Sequence, residues 1–249
     1  MWWDMPKTIR KAVILAGGRG SRLHPVTLEL PKPLITIRKR PLINYNLHLF
    51  ARHGVTDMVV IIRPEDRSDY ERWAREHGSE FTDLGMSIQF VEEREPMGTL
   101  GYFFFNLREW AGDEDVFVSN GDEIKKIDLE AMVDLHERMH AAATLALVRE
   151  KERKDCGFVL ISENRVMEFL EKKDSVESDL MSAGLYIISP NALRQAASAM
   201  PAGRRFLMFE TDLFPALTQM GELAGFIDAK GTVFDCGTFD RWERAIREV

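Results

Sequence analysis

A glycine-rich turn near the N-terminus is the first place where the residue types could do chemistry. The apolar run Ala12–Leu15 leads into Gly17, Gly18 and Gly20, and Arg22 follows. Glycine-rich turns expose backbone N–H groups that can approach an anion closely, and an arginine adds a delocalised, forked positive charge. The turn therefore predicts a phosphate-binding loop, although the glycines alone would also suit an ordinary strand–turn.

A lysine between two prolines follows this turn. Pro31 and Pro33 fix their own φ and restrict the residue before them, so the segment is predicted to be extended, with Lys32 projecting from a stiff arm. Alone, Lys32 could equally be a surface lysine. The strand, the glycines, the arginine and the clamped lysine, in this order and spacing, favour a functional site.

The spacing excludes two well-known phosphate loops. Leu23 stands where the dinucleotide-binding fingerprint needs its third glycine, and no Gly-Lys-Ser/Thr closes the turn as in a P-loop. A dinucleotide-dependent oxidoreductase is therefore excluded.

The elements that must position these residues alternate β-rich runs with helical patterns, which is typical of βαβ units. Predicted strands are Ala12–Leu15, Met58–Ile62, Met86–Val91, Val116–Ser119 and Ala143–Val148. Predicted helices are Leu42–His53, Asp66–His77 (closed by Gly78), about Leu100 to Trp110, and Leu129–His140. The fold class is α/β: a three-layer, Rossmann-like, mostly parallel mixed sheet flanked by helices.

The pattern of predicted strands and helices changes after residue 150. Phe158–Ile161 and Arg165–Leu170 predict an antiparallel hairpin, a small subdomain of its own, and Pro190 predicts a helix start. Thr232–Asp235 reads as a late strand and Phe239–Val249 as a closing helix. We expect one domain over 1–249, with a front half of about 8–150 and a back half of about 151–249.

Composition narrows the class of partner. The formal net charge of −7 over 249 residues, without a long basic block, argues against nucleic acid, but a small phosphate site needs only a few local cations. No apolar run is long enough to span a membrane. Two distant cysteines without CxxC spacing, and no signal peptide, predict a reducing, cytoplasmic location. Homo-oligomerisation stays open.

Several motifs in order resemble those of the sugar-1-phosphate nucleotidyltransferases, and the resemblance covers essentially the whole chain. They are A-G-G-R-G-S-R-L-H-P-V-T with P-K-P-L, Pro96-Met97-Gly98-Thr99-Leu100-Gly101, Asn120-Gly121-Asp122, Glu171-Lys172, Ala183-Gly184-Leu185-Tyr186 and Phe234-Asp235-Cys236-Gly237-Thr238. Each motif is weak alone, whereas the ordered set is specific. The family's fold is the nucleotide-diphospho-sugar transferase type.

The resemblance implies transfer of a nucleoside monophosphate from an NTP to a sugar 1-phosphate, with release of pyrophosphate. The implied catalytic residues are Arg22, Lys32 and Asp122. The implied nucleotide-binding residues, in the front half, are Leu15, Ala16, Gly17, Gly18, Gly20, Gly98, Thr99 and Gly121. The implied sugar-phosphate residues, in the back half, are Gly157, Glu171, Lys172, Ser182 and Gly184. Asp122 and Asp235 are the implied ligands of Mg²⁺, the expected cofactor.

Some assignments have alternatives. Asp122 could be a simple turn aspartate, and Asp235 could be a helix N-cap, although Thr238 suits that role better. Glu123 is a third candidate ligand, but a solvated strand-end charge is preferred. Lys173 could replace Lys172 at the sugar phosphate.

Two departures from the family pattern bear on specificity. Ser182 stands where the family usually has asparagine, which implies an altered acceptor pocket. Tyr102-Phe103-Phe104-Phe105-Asn106 replaces an often alanine-rich helix; a bulkier core helix is preferred over a reshaped nucleoside pocket.

The leading hypothesis is a Mg²⁺-dependent guanylyltransferase, which would bind GTP and a mannose- or heptose-type phosphate. Alternatives within the class are a UTP- or dTTP-dependent glucose-1-phosphate transferase and a phosphocholine-type cytidylyltransferase. An alternative of another class is a non-catalytic nucleotide-sugar-binding regulatory protein. Retention of Arg22, Lys32 and both aspartates argues against it.

Overall fold

The computed structural model describes residues 8–150, 153, 155–171, 178–199 and 203–249. In chain order, strands β1–β13 are Lys11–Leu15, Thr36–Ile37, Arg40–Pro41, Asp57–Ile62, Ser87–Glu92, Val116–Asn120, Glu123–Lys126, Ala143–Arg149, Gly157–Ser162, Arg165–Glu171, Leu180–Ile188, Leu223–Ile227 and Thr232–Asp235. Helices α1–α9 are Val26–Glu29, Leu42–His53, Arg67–Thr82, Gly98–Tyr102, Arg108–Ala111, Leu129–Met139, Pro190–Ala199, Phe214–Met220 and Phe239–Glu248. Short 3₁₀ turns cover Ser21–Leu23, Lys32–Leu34 and Pro64–Asp66, and π-helical segments cover Phe103–Leu107 and Phe209–Leu213.

The chain forms two compact units whose segments alternate along the sequence. The first unit consists of Arg10–Glu95, Val118–Lys126 and Thr232–Val249. The second unit consists of Pro96–Phe117 and Ile127–Gly231, together with Thr8 and Ile9. The predicted front half, about 8–150, and back half, about 151–249, were assigned by the ligand that each would bind and not by compactness. They stay predictions.

Parallel strands form the sheet of the first unit. Their order is β5-β4-β1, and Val118–Asn120 of β6 lies on the other side of β1. Lys11 pairs with Asp57, which in turn pairs with Ser87. Because parallel strands end at the same edge of a sheet, the segments that follow β1 and β6 emerge side by side. This edge carries the glycine loop and Asp122.

The first two long helices cover this sheet, and they end for different reasons. Helix α2 ends as predicted at His53, where Gly54 takes a left-handed φ of 92°. Helix α3 was predicted to end before Gly78, but it continues to Thr82. Tyr70, Trp73 and Phe81 are buried at helical spacing, so the last turn is held by the burial of Phe81 in spite of the glycine.

A short antiparallel ribbon brings distant parts of the first unit together. Strand β7 pairs with β13 so that Glu123 faces Asp235 and Lys126 faces Thr232. An apolar cluster fixes the ribbon, the glycine-loop segment and α9 to each other; its buried members are Leu23, Ile35, Ile37, Leu42, Ile124, Cys236 and Ala245. Strand β7 was absent from the sequence prediction.

Antiparallel pairing dominates the second unit. Its strands follow the order β11-β8-β12-β10-β9, and only the β8–β12 pair is parallel among its described pairings. The predicted hairpin is confirmed, since Arg165 pairs with Ser162 and Glu171 with Gly157. Its two-residue turn, Glu163-Asn164, has positive φ at both positions, which matches the right-handed twist of the strands.

This mixed α/β architecture confirms the predicted fold class, with its parallel part in the first unit and its hairpin in the second. Within the described part of the chain, no helix combines the length and apolar character needed to cross a membrane.

Candidate active site

Three of the predicted catalytic and metal-binding residues meet in the first unit. Lys32 Nζ donates a hydrogen bond of 2.6 Å to Asp122 Oδ2 and lies 3.6 Å from Asp235 Oδ1. These residues are far apart in sequence, so the convergence is a property of the fold. One ammonium group therefore contacts both carboxylates.

Lys32 reaches this position from a turn and not from an extended arm. Lys32–Leu34 is a 3₁₀ turn in which Leu34 N donates to Pro31 O at 2.8 Å and Ile35 N to Lys32 O at 3.2 Å. The predicted extended arm is therefore wrong. Pro33 is tolerated because the first residues of such a turn need no N–H donor. Lys32 is only 5% exposed, so it is a buried cation and not a surface one.

Asp122 is placed by a turn between β6 and β7. Gly121 N donates to Leu15 O at 2.9 Å, which pins the turn to the end of β1. A Cβ at Gly121 would lie 2.7 Å from Ile14 Cγ2, so the close approach requires glycine. The side chain of Asp122 remains 41% exposed, which leaves it open to a ligand.

Asp235 is the last residue of β13, and the cap of the next helix is a different residue. Thr238 Oγ1 accepts a hydrogen bond of 3.4 Å from Arg241 N, which confirms Thr238 as the N-cap of α9. The carboxylate of Asp235 accepts from Arg241 Nη1 at 2.6 Å through Oδ2. Asp235 thus contributes one oxygen toward Arg241 and the other toward Lys32.

Arg22 lies beside this cluster. A Cβ built on Gly237 would be 2.9 Å from Arg22 Nη2 and 2.8 Å from Asp235 Oδ1. The guanidinium group and the carboxylate therefore flank the same glycine. The structure brings together Arg22, Lys32, Asp122 and Asp235, whose catalytic and metal-binding roles stay predictions.

Two further residues, Glu123 and Lys125, complete the charge balance of the cluster. The sequence analysis had assigned Glu123 to solvent and had given Lys125 no role. Lys125 has a fully buried side chain; its Nζ donates to Asn120 O at 2.8 Å and lies 3.5 Å from Glu123 Oε2. The side chain of Glu123 is only 14% exposed, so the solvated strand-end charge preferred from the sequence is wrong. No local sequence pattern marks this pair, because both residues take their places through the pairing of β7 with β13.

The surrounding charges and burial shift three pKa values. Burial acts to raise the pKa of Asp122, but the ammonium of Lys32, its hydrogen bond and the charge of Lys125 outweigh it, so the pKa lies below its usual value. Burial lowers the pKa of Lys125, against the carboxylates of Glu123 and Asp122. Burial raises the pKa of the Cys236 thiol to about 12, so this thiol is neutral.

The donor set suits a hard divalent cation that also binds phosphate. Mg²⁺ is commonly held by one or two carboxylates, with waters and substrate phosphates as its other ligands. Asp122 and Asp235 supply two carboxylates that converge on one point, namely Lys32 Nζ. No cluster of three or more His, Cys, Asp or Glu ligands occurs among the described residues, so a cage made by the protein alone is not what this region offers.

The predicted nucleotide loop, Leu15, Ala16, Gly17, Gly18 and Gly20, follows β1. Ala16 N still donates to Ile61 O at 2.9 Å, so the loop opens after Ala16. A Cβ at Gly18 would meet nothing within 4 Å, whereas one at Gly17 would lie 3.2 Å from Glu93 Oε2. The loop therefore has open backbone at Gly18.

The other predicted nucleotide residues, Gly98 and Thr99, belong to the second unit. Gly98 has a φ of 77°, and a Cβ there would collide with Leu207 O. Thr99 Oγ1 donates to Glu210 Oε2 at 2.7 Å and accepts from Phe209 N at 3.0 Å. These contacts hold the turn, and Glu210 is a partner that no sequence motif had indicated.

The aromatic segment after Gly101 only partly fits the predicted core helix. Phe103 is fully buried, but Phe105 is 44% exposed, with Arg205 above its ring at 5.8 Å. The segment Phe103–Leu107 is π-helical and buries Phe103 and Leu107, while Phe105 lies on its exposed side. The prediction of a bulkier core helix is thus correct for Phe103 and wrong for Phe105.

Most predicted sugar-phosphate residues gather at one end of the β9 strand. Gly157 pairs with Glu171, and its neighbour Phe158 pairs with Met181, which precedes Ser182. Ser182 Oγ is buried without a hydrogen-bond partner in the described part of the chain. Gly184 has a φ of 59° inside an irregular stretch of β11. Lys172 and Lys173 lie outside the described residues.

Comparison with known proteins shows the family to which the chain belongs. The model of the Nucleotidyl transferase family matches residues 11–249, so the chain belongs to this family. Its fold is shared by the crystal structure of a putative glucose-1-phosphate thymidylyltransferase from Bacillus anthracis in complex with a sucrose. The TM-score is 0.83 and the identity 23%, over 96% of each chain.

Among individual proteins, the chain is similar to mannose-1-phosphate guanylyltransferases. It is 33% identical over 224 residues to the one from Mycobacterium tuberculosis, covering 88% of this chain and 58% of that protein. It is 32% identical to a mannose-1-phosphate guanyltransferase from Candida albicans, covering 91% of this chain and 61% of that protein. The chain thus spans about three fifths of the length of these relatives.

Proposed function

We propose that the chain transfers a nucleoside monophosphate from an NTP to a sugar 1-phosphate, forming an NDP-sugar and releasing pyrophosphate. The observation that carries the proposal is the contact of Lys32 Nζ with both Asp122 and Asp235, beside Arg22. Two anionic reactants must be brought together, and such a cluster supplies fixed charges where their phosphates would meet.

In the proposed reaction, an oxygen of the sugar phosphate attacks the α-phosphorus of the NTP. The new P–O bond forms as the bond from the α-phosphorus to the bridging oxygen of pyrophosphate breaks, and the electron pair leaves with pyrophosphate. The attacking phosphate is already ionised near neutral pH, so no general base is required. Lys32 neutralises and aligns the phosphates that become joined, and Arg22 stabilises the charge that grows on the departing pyrophosphate.

Asp122 and Asp235 are the residues proposed to hold Mg²⁺. When bound, this ion would act as a Lewis acid and neutralise phosphate charge. The lowered pKa of Asp122 keeps its carboxylate ionised and able to bind a cation. The exposed fraction of Asp122, 41%, leaves the access that such binding needs.

We assign GTP as the nucleotide and a mannose- or heptose-type 1-phosphate as the acceptor. The similarity to mannose-1-phosphate guanylyltransferases supports this choice. Gly98 and Thr99 would bind the nucleotide. Gly157, Glu171, Lys172 and Ser182 would bind the acceptor. The reaction is proposed to be cytoplasmic, where thiols stay reduced; Cys156 and Cys236 form no disulfide bond within the described part of the chain.

The test is pyrophosphate release from a matrix of GTP, UTP, dTTP, CTP and ATP against a panel of sugar 1-phosphates with phosphocholine, in the presence of Mg²⁺. We expect the highest kcat/KM with GTP and mannose 1-phosphate or a heptose 1-phosphate. Preference for another pair would overturn the substrate assignment but not the reaction class. Nucleotide binding without turnover of any pair would favour the regulatory alternative.

A further inference from the structure

The two oxygens of Asp235 have different neighbours. Oδ2 accepts the hydrogen bond from Arg241 Nη1 at 2.6 Å, while Oδ1 is the oxygen that lies 3.6 Å from Lys32 Nζ. The side chain of Asp235 is only 7% exposed, so its orientation is set by these neighbours and not by water. The guanidinium group of Arg241 is therefore one of the groups that determine which oxygen faces the cluster of Lys32 and Asp122.

The position of Arg241 is itself fixed by the first turn of α9. Its backbone N–H donates to the N-cap hydroxyl of Thr238 at 3.4 Å. The next residue, Trp242, donates through Nε1 to Thr36 O at 3.1 Å, and Ala245, one turn further on, belongs to the buried apolar cluster. Helix α9 thus presents Arg241 to Asp235 from an anchored backbone.

We propose that Arg241 is a positioning residue for the carboxylate of Asp235, holding Oδ2 so that Oδ1 stays directed toward Lys32 and Asp122, where a divalent cation would bind. This inference rests on the proposed function. Outer hydrogen-bond partners of metal-binding carboxylates typically contribute about 10- to 100-fold to metal affinity or activity. Arg241 lies three residues beyond the motif Phe234–Thr238 that contains Asp235, so no sequence motif indicated it.

The charge and the hydrogen bond of Arg241 have opposite expected effects on the cation. A guanidinium charge close to the site repels a divalent cation, so its removal alone would strengthen metal binding. Its hydrogen bond orients the carboxylate, so loss of the bond would weaken metal binding. Our proposal therefore requires that a neutral residue which still donates to Asp235 preserves the site.

The experiment compares Arg241→Met, which loses both charge and donor, with Arg241→Gln, which keeps an N–H donor. The control is Arg244→Met, because Arg244 lies on the same helix with a 64% exposed side chain paired to Glu248. Binding of Mn²⁺ alone is followed by the electron paramagnetic resonance signal of the free ion. Steady-state kinetics of pyrophosphate release and thermal unfolding accompany it.

For Arg241→Met we expect a Mn²⁺ Kd raised about tenfold or more and a kcat lowered by a similar factor, with acceptor KM within about twofold. Arg241→Gln should remain within about threefold of wild type in both, and Arg244→Met should not differ from it. A folded Arg241→Met protein with wild-type Mn²⁺ affinity would overturn the inference. Equal damage in Arg241→Gln and Arg241→Met would also overturn it, because a retained N–H donor would then fail to preserve the site. If Arg241→Met does not fold, the Arg241→Gln protein decides. A folded Arg241→Gln protein with weakened Mn²⁺ binding and kcat overturns the inference, and one with wild-type values supports it.

The wild-type protein separates this inference from the proposed function. A wild type that releases pyrophosphate but does not bind Mn²⁺ overturns the inference alone. A wild type that turns over no substrate pair overturns the proposed function.

Discussion

The two compact units carry their predicted site residues in different ways. In the first unit, Lys32 contacts both Asp122 and Asp235, and Arg241 adds a further ion pair to Asp235. In the second unit, Thr99 is engaged in holding its own turn, while Ser182 Oγ is buried without a partner among the described residues. The residues proposed to act on the phosphates are thus held by ion pairs, whereas those proposed to contact the acceptor include a buried hydroxyl without a hydrogen-bond partner in the described part of the chain.

The largest effect should come from the locked cluster. Asp122→Asn keeps the shape of the side chain but removes the charge that pairs with Lys32, so we expect kcat to fall about 10³-fold. Pyrophosphate release at saturating Mg²⁺ measures this, and Asp240→Asn, an exposed change in α9, is the control. Near-normal turnover of a folded Asp122→Asn protein would show that the cluster is structural.

Removal of the guanidinium group beside Gly237 should have the next largest effect. Arg22→Gln is expected to lower kcat about 10²-fold with little change in acceptor KM, because the group is assigned to charge that develops in the transition state. Arg19→Gln is the matched control, since Arg19 is an exposed arginine of the same loop. A rise in KM alone would reassign Arg22 to ground-state binding.

A steric change can test how tightly the first unit is locked without touching a charge. Gly121→Ala would bring a Cβ to within 2.7 Å of Ile14 Cγ2, whereas Gly18→Ala would meet nothing within 4 Å. We expect a loss of about 1–3 kcal/mol in the free energy of unfolding for Gly121→Ala and under about 0.5 kcal/mol for Gly18→Ala. Urea unfolding measures both. Equal losses would contradict the close packing of the Asn120–Asp122 turn.

The smallest effect should come from the second unit. Ser182→Ala removes one hydroxyl, so we expect kcat/KM for the acceptor to fall about fivefold, the value of one neutral hydrogen bond, with no change in NTP KM. Ser162→Ala, an exposed serine at the end of the neighbouring hairpin strand, is the control. Unchanged kinetics with every acceptor would remove Ser182 from the site.

Local patterns predicted the fold well where one signal dominated. Helix α2 was predicted to the residue, since its apolar face ends where Gly54 can adopt a left-handed φ. The same rule failed at Gly78, because burial of Phe81 one turn later outweighs the cost of one glycine in a helix. Element type could thus be read from periodicity, whereas a boundary depended on what the next turn packs against.

The residue types of the candidate site could be predicted from the sequence, but the residues that contact and hold them could not. The sequence indicated the two aspartates and Lys32 because their motifs occur in a specific order, yet the expected extended arm became a 3₁₀ turn. Lys125 was missed because its role depends on the β7–β13 pairing. Arg241 was missed because its contact depends on how α9 follows the Thr238 cap. Such partners are set by tertiary contacts, which no local pattern contains.

The pairing of β7 with β13 has a consequence for biosynthesis. Asp235 reaches Lys32 only after β13 has been synthesised and has aligned beside β7, with Asp235 opposite Glu123. Chains emerge from the ribosome N-terminus first, so a nascent polypeptide that already contains the glycine loop, Lys32 and Asp122 would still lack the second carboxylate. Under the proposed function, activity would therefore appear only after this ribbon has closed.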